Sequence, residues 1–503
     1  MSTIKPDFEA FQAAYKAGRP QILWTEIVAD LETPVSAYLK LVAPRSNGFL
    51  LESVEGGHTR GRYSIIGMEP DLIWRYTGTK AEINRKALTS PGAFEPDSLP
   101  PLDSLAALLA ESLIDLPEDL PPMAAGIVGY LGYDTVRLME KLGDPNPDAL
   151  GTPDGILVRP TIMAIFDSVK EVISLVTPVR PNGQSAEAAF KAAENRLLNA
   201  LERMDRPLPH MGGEAAPELP EPDSNTTRAE YMQMVDRAKE YIRAGDIFQV
   251  VLSQRFSLPF SLPPFSLYRS LRRTNPSPYM YYLDYADFQV VGSSPEILVS
   301  LKDEKVTIRP IAGTRARGRN RAEDQAQVED LLADPKELAE HLMLLDLGRN
   351  DVGRVAEVGS VRVTEQNIIE YYSHVMHIVS NVEGRVRKGM SSVDVLKAGF
   401  PAGTVSGAPK IRAMEIIDEL EKEKRGIYAG AVGYFSAGGS MDTCIVLRTA
   451  IVKDGTMYVQ AGAGIVAESR PEAEHEECRA KARALVKAAE EAVRFSDQVG
   501  KGQ

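Results

Sequence analysis

Residues 337 to 351 read Glu337-Leu-Ala-Glu-His-Leu-Met-Leu-Leu-Asp-Leu-Gly-Arg-Asn-Asp351 and predict a helix that runs into a charged turn. The apolar positions that we expect to face a core are Leu338, Leu342, Met343 and Leu345. The positions that we expect on another side are Glu337, Glu340, His341 and Leu344. A carboxylate among apolar neighbours is costly to bury unless a cation, a donor or a metal satisfies it. We therefore interpret Glu340 as a ligand of a hard metal ion.

A second carboxylate for such a site is predicted on a C-terminal helix that begins near Pro471. Glu474, Glu477 and Lys481 follow one another at helical spacing, so they share one face of that helix. Mg²⁺ takes one or two protein carboxylates and leaves its other positions to water and substrate oxygens. The alternative for each helix taken alone is a solvated acidic face.

The composition is that of a globular protein, with 44% hydrophobic and 25% charged residues. A net charge of -13 argues against non-specific binding of nucleic acid. There is neither a signal peptide nor an apolar run of membrane-spanning length, so we expect a cytoplasmic protein without a membrane partner. The two cysteines, Cys444 and Cys478, exclude a disulfide framework.

Three regions are predicted along the chain. Residues 1–205 mix strand and helix patterns without a regular βαβ repeat, which favours an α+β fold over a doubly wound one. Residues 206–226 contain five prolines and are interpreted as a linker. Residues 227–495 form the third region, and its first helix has Thr226 or Thr227 as a cap.

Two glycine-rich segments, 403–410 and 460–467, predict backbone amides that a carboxylate can approach closely, with ordinary turns as the alternative. A dinucleotide site is disfavoured at the second segment because no helix opens at its glycines. The spacing of the first segment is not that of a phosphate-binding loop. Arg448 is a candidate forked donor for a carboxylate, or else a partner in an edge salt bridge.

Two histidines, His374 and His377, are three residues apart but lack a third nitrogen ligand, so zinc is not predicted. Either imidazole is a candidate acid or base, and a structural role is the alternative.

The run from about 225 to 490 resembles the chorismate-utilising enzymes, in particular their anthranilate-forming members. The segments that carry the resemblance, besides the helix of Glu340, are GDIFQVVLSQR (245–255), NPSPYM (275–280), GSSPE (292–296), RPIAGTR (309–315), YYSHVMH (371–377), GTVSGAPK (403–410), YAGAVGY (428–434), DTCIVLR (442–448) and QAGAG (460–464). The resemblance implies an α+β fold with a two-layer antiparallel β-sandwich core and surrounding helices.

The resemblance also implies a set of site residues. Glu340 and Glu477 are expected to hold Mg²⁺, which in turn binds a substrate carboxylate. The residues expected to contact chorismate are Gly313, Thr314, Tyr428, Arg448, Gly462, Ala463, Gly464 and Lys481. Glu296 is expected to be the general acid for loss of the ring hydroxyl, His377 to lie near removal of the ring proton, and Thr314 to belong with them in the catalytic group.

Two positions distinguish the relatives. Aminodeoxychorismate synthases resemble this chain but typically carry Lys at the position of Ala312, and isochorismate synthases carry a water-activating Lys at the position of Gln249. Ammonia is therefore the expected nucleophile, and anthranilate with pyruvate the expected products. The alternatives are aminodeoxychorismate synthase component I and a tryptophan-binding regulatory partner that has lost catalysis.

Neither cysteine lies in the glycine elbow of a glutamine amidotransferase. The resemblance therefore implies a separate amidotransferase subunit that supplies ammonia, and hence a hetero-oligomer. It further implies inhibition by tryptophan. The residues of that allosteric pocket are expected to be Ser53, Pro278, Tyr279 and Met280.

Overall fold

A computed structural model of the chain describes residues 3–43, 46–55, 59–209, 218–372 and 375–496. The helices of these residues are α1 (Phe8–Lys16), α2 (Pro34–Leu41), α3 (Pro101–Glu111), α4 (Ala186–Met204), α5 (Arg228–Ala244), α6 (Pro264–Thr274), α7 (Arg321–Ala333), α8 (Pro335–Gly353), α9 (Ser392–Gly399), α10 (Gly403–Ser406), α11 (Lys410–Leu420) and α12 (Pro471–Ser496), with short 3-10 helices at Pro122–Ala124 and Tyr133–Leu138.

The first strands in chain order are β1 (Gln21–Val28), β2 (Phe49–Glu55), β3 (Thr59–Thr77), β4 (Lys80–Asn84), β5 (Glu95–Pro96), β6 (Gly126–Leu131), β7 (Gly155–Asp167), β8 (Val172–Val179), β9 (Asp223–Ser224), β10 (Gln249–Pro259) and β11 (Tyr279–Asp284). The others are β12 (Phe288–Ser294), β13 (Ile297–Lys302), β14 (Lys305–Ile308), β15 (Ile311–Ala316), β16 (Arg362–Tyr371), β17 (Val375–Arg385), β18 (Gly407–Ala408), β19 (Ala431–Ser436), β20 (Met441–Ile445), β21 (Thr449–Lys453) and β22 (Thr456–Ile465).

Every pairing between these strands is antiparallel, and together they form one hydrogen-bonded network. From β7 one branch runs through β3, β2, β11, β12, β21 and β22 to β10. The other branch runs through β6, β19, β20, β13 and β14 to β17, which also pairs with β15 and β16. The predicted α+β class with an antiparallel sheet is confirmed.

Residues from before and after the proline-rich segment share both the sheet and the cores. β2 pairs with β11, and β6 pairs with β19. One hydrophobic core is built mainly from strand residues of both parts, among them Trp24, Val128, Tyr281 and Val432, as expected between two strand layers. Helices cover the outer faces, where α4, α6 and α12 share a second core with the strands. The division into three regions stays a prediction.

The face of α8 that packs on the sheet differs from the predicted one. Leu345 is buried as expected, but Leu342 is 59% exposed and His341 is fully buried, so the prediction was wrong for these two residues. Apolar residues occur on all sides of this helix, and its periodicity therefore does not identify one face. Gly348 packs on the sheet instead. His341 is buried there because its Nε2 atom lies within hydrogen-bond distance, 2.6 Å, of the Ser380 hydroxyl.

Local sequence explains where α5 begins. Thr227 caps this helix as predicted: its hydroxyl accepts the Glu230 amide, and the Glu230 carboxylate accepts the Thr227 amide.

The proline-rich segment lies outside the described residues at 210–217. Across the described part of the chain, no helix combines the length and the hydrophobicity needed to cross a membrane.

Candidate active site

A cavity of about 820 Å³ opens between β10, β15, β17, β22, α8 and α12. The predicted site residues that line it are Glu296, Gly313, Thr314, Glu340, His377, Tyr428, Arg448, Gly462, Gly464, Glu477 and Lys481. The two residues that we used to separate the relatives, Gln249 and Ala312, line it as well. Segments that are more than 200 residues apart in sequence thus converge on one enclosed space.

The acidic side of the cavity carries Glu340 from α8 and Glu477 from α12. Gln249 donates from Nε2 to Oε1 of Glu340 at 2.9 Å. Burial, with smaller contributions from the charges of Glu337 and then Glu477, raises the pKa of Glu340 above its usual range. Glu477 bonds Lys481 at 2.8 Å, and Lys481 also donates to the Gly462 carbonyl at 2.9 Å.

Two carboxylates that face one cavity supply the hard oxygen donors that Mg²⁺ prefers. Glu337 and Glu474 line the same side, so negative charge exceeds the positive charge of Lys336 and Lys481. Within the described ranges, no group of three or more acidic, histidine or cysteine residues is arranged to hold a metal. An ion held by these two carboxylates would have to obtain its other ligands from water or substrate oxygens.

Glu296 lies between β12 and β13 with its carboxyl group in the cavity wall. Its backbone is fixed because its carbonyl accepts the Ile445 amide at 3.0 Å. Burial raises the pKa of Glu296 to about 8, against the opposing effect of the Thr404 hydroxyl and the Ile311 amide. A carboxyl group with this pKa is mostly protonated at neutral pH, as a general acid must be.

His377 is held on the opposite strand by a bulge in β15. Gly313 is the extra residue of this bulge, with φ of +67°, a value that favours glycine. The Gly313 carbonyl accepts the Nδ1 proton of His377 at 2.8 Å, which leaves the lone pair on Nε2. Burial, together with the charge of Arg448, lowers the pKa of His377 to about 4. The imidazole is therefore neutral and able to accept a proton.

The Arg448 guanidinium supplies positive charge to the cavity. Among the described residues, no hydrogen bond or ion pair engages it, and burial lowers its pKa. Arg448 lies between β20, which stops at Ile445, and β21, and it has φ of +46°. Nearby, a Cβ atom at Gly462 would lie 2.9 Å from the Tyr428 hydroxyl, and one at Gly464 would lie 2.7 Å from Nε2 of Gln249. These glycines thus keep the strand close to two polar groups.

One expectation changes with the structure. Ala463 lies in β22 between the two glycines, and its side chain is buried in a core on the other face, so only its backbone can meet a ligand in the cavity. Gly462 and Gly464 themselves lie inside β22. His374 lies outside the described residues.

The residues expected to bind tryptophan lie apart from this cavity, where β2 meets β11. Met280 pairs with Glu52, which places Ser53 beside Tyr279 on the alternate face. The Tyr279 hydroxyl donates to Asp442 at 3.4 Å, and burial raises the pKa of Asp442 to about 6. The Met280 side chain is buried in a core on the other face, so only its backbone is available there.

Among the residues of the cavity wall that sequence reasoning missed are Asn275, Tyr372 and Thr404. The Nδ2 atom of Asn275 is buried without a hydrogen-bond partner among the described residues, and the Thr404 hydroxyl lies beside the Glu296 carboxyl group. The Tyr372 ring lies 5.3 Å from the His377 ring, and its hydroxyl donates to Glu370 at 2.9 Å. All three residues lie within segments that carry the resemblance, so the resemblance was the signal that could have identified them as site residues.

The cavity brings together a buried carboxyl group, a neutral imidazole and a buried guanidinium, as in an enzyme active site. The family described as chorismate binding enzyme matches residues 49–487, and the chain belongs to this family. It is 57% identical over 498 residues to anthranilate synthase component 1 from Cereibacter sphaeroides, a match that covers 98% of this chain and 99% of the relative.

Solved structures share the fold of this chain. The crystal structure of anthranilate synthase component I from Streptococcus pneumoniae TIGR4 is 39% identical, covers 91% of this chain and 98% of its own, and has a TM-score of 0.76. The menaquinone-specific isochorismate synthase from Escherichia coli is 20% identical, covers 96% of this chain and 98% of its own, and has a TM-score of 0.69. The second likeness shows the fold alone.

Proposed function

We propose that this chorismate-utilising enzyme converts chorismate and ammonia to anthranilate, pyruvate and water, as a first step of tryptophan biosynthesis in the cytoplasm. The observation that carries the proposal is the pairing in one cavity of a protonated carboxyl group, Glu296, with a neutral imidazole, His377. The names of the similar proteins support it.

Each half of the reaction uses one of these groups. Ammonia adds to the ring while the ring hydroxyl leaves as water, and Glu296 supplies the proton that the leaving oxygen needs. The aminated ring then loses pyruvate and becomes aromatic, which requires removal of a ring proton by Nε2 of His377. The Arg448 guanidinium and the backbone at Gly462 and Gly464 hold the two carboxylates of the substrate.

Mg²⁺ is the cofactor that we propose, with Glu340 and Glu477 as its protein ligands. When bound, the ion supplies positive charge that holds a substrate carboxylate. The support for this assignment is the surplus of carboxylates on one side of the cavity, of which Glu340 is largely buried.

Ammonia is the proposed nucleophile because the cavity wall has Gln249 and Ala312 at the two positions where related enzymes carry lysine. We further propose that tryptophan inhibits the enzyme by binding between Ser53 and Tyr279. The buried carboxyl group of Asp442 beside Tyr279 is suited to the ammonium group of such a ligand.

The experiment that tests the function is incubation of the purified chain with chorismate, Mg²⁺ and ammonium at mildly alkaline pH, followed by identification of the product. Fluorescent anthranilate together with an equal amount of pyruvate is expected. Aminodeoxychorismate or isochorismate as the product would overturn the proposal.

A further inference from the structure

Tyr372 lies in the wall of the active-site cavity beside His377 but takes part in neither half of the proposed reaction. The residue is only 7% exposed. The centres of its ring and the imidazole lie 5.3 Å apart, with an angle of 67° between the ring planes, so the contact is edge-to-face. A tyrosine packed on the group that accepts the ring proton is in a position to affect that proton transfer.

Strand pairing places Glu370, Tyr372 and His377 on one face of the sheet. Glu370 of β16 lies directly opposite His377 of β17, so the two side chains point the same way. Tyr372 follows Glu370 by two residues and therefore points to that face too. The neighbouring Tyr371 points to the opposite face, where the Arg317 guanidinium lies 5.1 Å from its ring centre. Of the two adjacent tyrosines, Tyr372 is thus the one that meets the imidazole.

One hydrogen bond does not fix the direction of the His377 imidazole. The Gly313 carbonyl accepts the Nδ1 proton at 2.8 Å, and this bond selects the tautomer. The last side-chain torsion of a histidine is broad, so the ring is still free to tilt about that bond. A general base must point at the proton that it removes, and a tilt would turn the Nε2 lone pair away. The Tyr372 ring limits this tilt from the side.

Tyr372 is itself held at three points. Its amide donates to the Val375 carbonyl at 2.8 Å, and its carbonyl accepts Nη1 of Arg317 at 2.9 Å. Its hydroxyl donates to Oε2 of Glu370 at 2.9 Å. The other oxygen of Glu370 accepts Nη2 of Arg309 at 2.7 Å, so the acceptor of the hydroxyl is held as well. The ring therefore has little freedom to move away from the imidazole.

The Tyr372 hydroxyl is directed to residues behind the cavity wall. In the described part of the chain, neither Glu370 nor Arg309 lines the cavity. Burial, followed by the charge of Glu370, raises the pKa of this hydroxyl far above its usual range, so it keeps its proton. Tyr372 therefore acts through its ring and exchanges no proton with a substrate.

The ring also keeps water from one side of His377. Burial is the largest cause of the low pKa of His377, which is about 4. Two cations lower this pKa further and two acceptors raise it; they are Arg448 and Lys481, and the Gly313 carbonyl and the Glu370 carboxylate. Removal of the Tyr372 ring would admit water and bring the pKa of His377 closer to its ordinary value of 6.5.

We infer that Tyr372 is a positioning residue, whose ring holds the His377 imidazole in the direction that removal of the ring proton requires, and that the Arg309–Glu370 pair holds Tyr372 in place. This inference rests on the proposed function, in which His377 is the base. A tyrosine with a structural role alone would stabilise the fold here without an effect on the direction or the charge of the imidazole.

The test compares the wild-type chain with Tyr372→Ser, Tyr372→Phe and Tyr371→Ala. Serine removes the ring and admits water, whereas phenylalanine keeps the ring and loses only the bond to Glu370. Tyr371→Ala is the matched control, because it removes the adjacent tyrosine ring on the opposite face. For each chain, kcat and KM for chorismate are measured with ammonium between about pH 5.5 and about pH 7.5. Nitrogen NMR of chains with labelled histidine reports the charge and tautomer of each imidazole, and His377→Gln identifies the signal of His377.

At about pH 7.5 an imidazole is about 90% neutral even with its ordinary pKa, so a lower kcat there reports its direction. Tyr372→Ser should lower kcat about 30-fold or more and change KM less than about threefold, because the base no longer points at the proton. At about pH 5.5 its ratio of charged to neutral His377 should rise about tenfold or more, which is one pKa unit. Tyr372→Phe and Tyr371→Ala should keep kcat within about threefold of the wild type and leave the His377 signal unchanged.

A wild-type kcat or an unchanged His377 signal in Tyr372→Ser would overturn the inference, and so would an equal loss of kcat in Tyr372→Phe. If Tyr372→Ser does not fold, the wild type decides: a His377 that is mostly charged at about pH 5.5, or that carries its proton on Nε2, contradicts the inference. Absence of anthranilate from the wild type with ammonium would instead refute the proposed function, while the NMR comparison would still decide whether Tyr372 holds the imidazole.

Discussion

Replacement of Glu296 by glutamine should remove both a catalytic proton and a pH-dependent stability term. In the folded chain, burial raises the pKa of this carboxyl group from 4.5 to about 8. Between these two values the folded state binds one proton that the unfolded state has lost, so stability falls as pH rises. The loss is about 1.4 kcal/mol per pH unit, which gives about 3 kcal/mol between pH 5 and pH 7. Above about pH 8 both states are ionised and the loss ends.

Glutamine keeps the shape of the side chain and remains neutral, so the variant should lack this slope. Its free energy of unfolding relative to the wild type should rise by about 3 kcal/mol from pH 5 to pH 7 and then level off near pH 8. Urea unfolding at each pH measures this difference. All other titrating groups are shared, and they cancel. Glu490→Gln, at an exposed position of α12, serves as the control and should show no such trend.

The same variant should lower kcat about 100-fold or more, because it removes the proton donor. In the wild type, kcat should fall as pH rises through about 8, since the acid form is then lost. A pH-independent stability difference between the two chains, or an unchanged kcat in the variant, would refute the argument that Glu296 is a buried acid.

Three further substitutions test the remaining assignments. Glu340→Gln should abolish Mg²⁺-dependent turnover while tryptophan binding, followed by calorimetry, is retained; loss of both would argue against a metal ligand. Ala312→Lys should depress anthranilate formation about tenfold or more, because an amine and its bulk enter the cavity wall, and unchanged steady-state turnover would contradict this role. Ser53→Phe should weaken inhibition by tryptophan, since a large side chain would fill the space between Ser53 and Tyr279, and an unchanged inhibition curve would exclude that pocket.

The sequence predicted the chemistry of the site better than its packing. Glu340 and Glu477 were placed in one site because a buried carboxylate demands compensation, and the structure brings both to one cavity. The orientation of α8 was predicted less well. Leu342 was predicted to be buried and is exposed, whereas His341 is buried. The helix packs a hydrogen-bonded imidazole and a glycine against the sheet, and the spacing of apolar residues alone does not predict this.

Among the strand residues of the site, some were predicted from the sequence and others were not. Gly462 and Gly464 were found because missing side chains permit a close approach, whereas the opposite orientation of Ala463 follows from strand alternation inside β22. Asn275 and Tyr372 were missed because their roles depend on which neighbours the fold supplies. For Tyr372 these are His377 and Glu370, and only the pairing of β16 with β17 brings Tyr372 and His377 together.

The pairings of β2 with β11 and of β6 with β19, which join early and late parts of the chain, have a consequence for folding. A chain that began after the proline-rich segment would lack β2 and β6, and would leave one side of β11 and one side of β19 without hydrogen-bonding partners. Bare strand edges of this kind act as templates for association with other chains. The part of the chain after the proline-rich segment should therefore aggregate when it is expressed alone. It should regain solubility when the missing N-terminal part is supplied as a separate polypeptide.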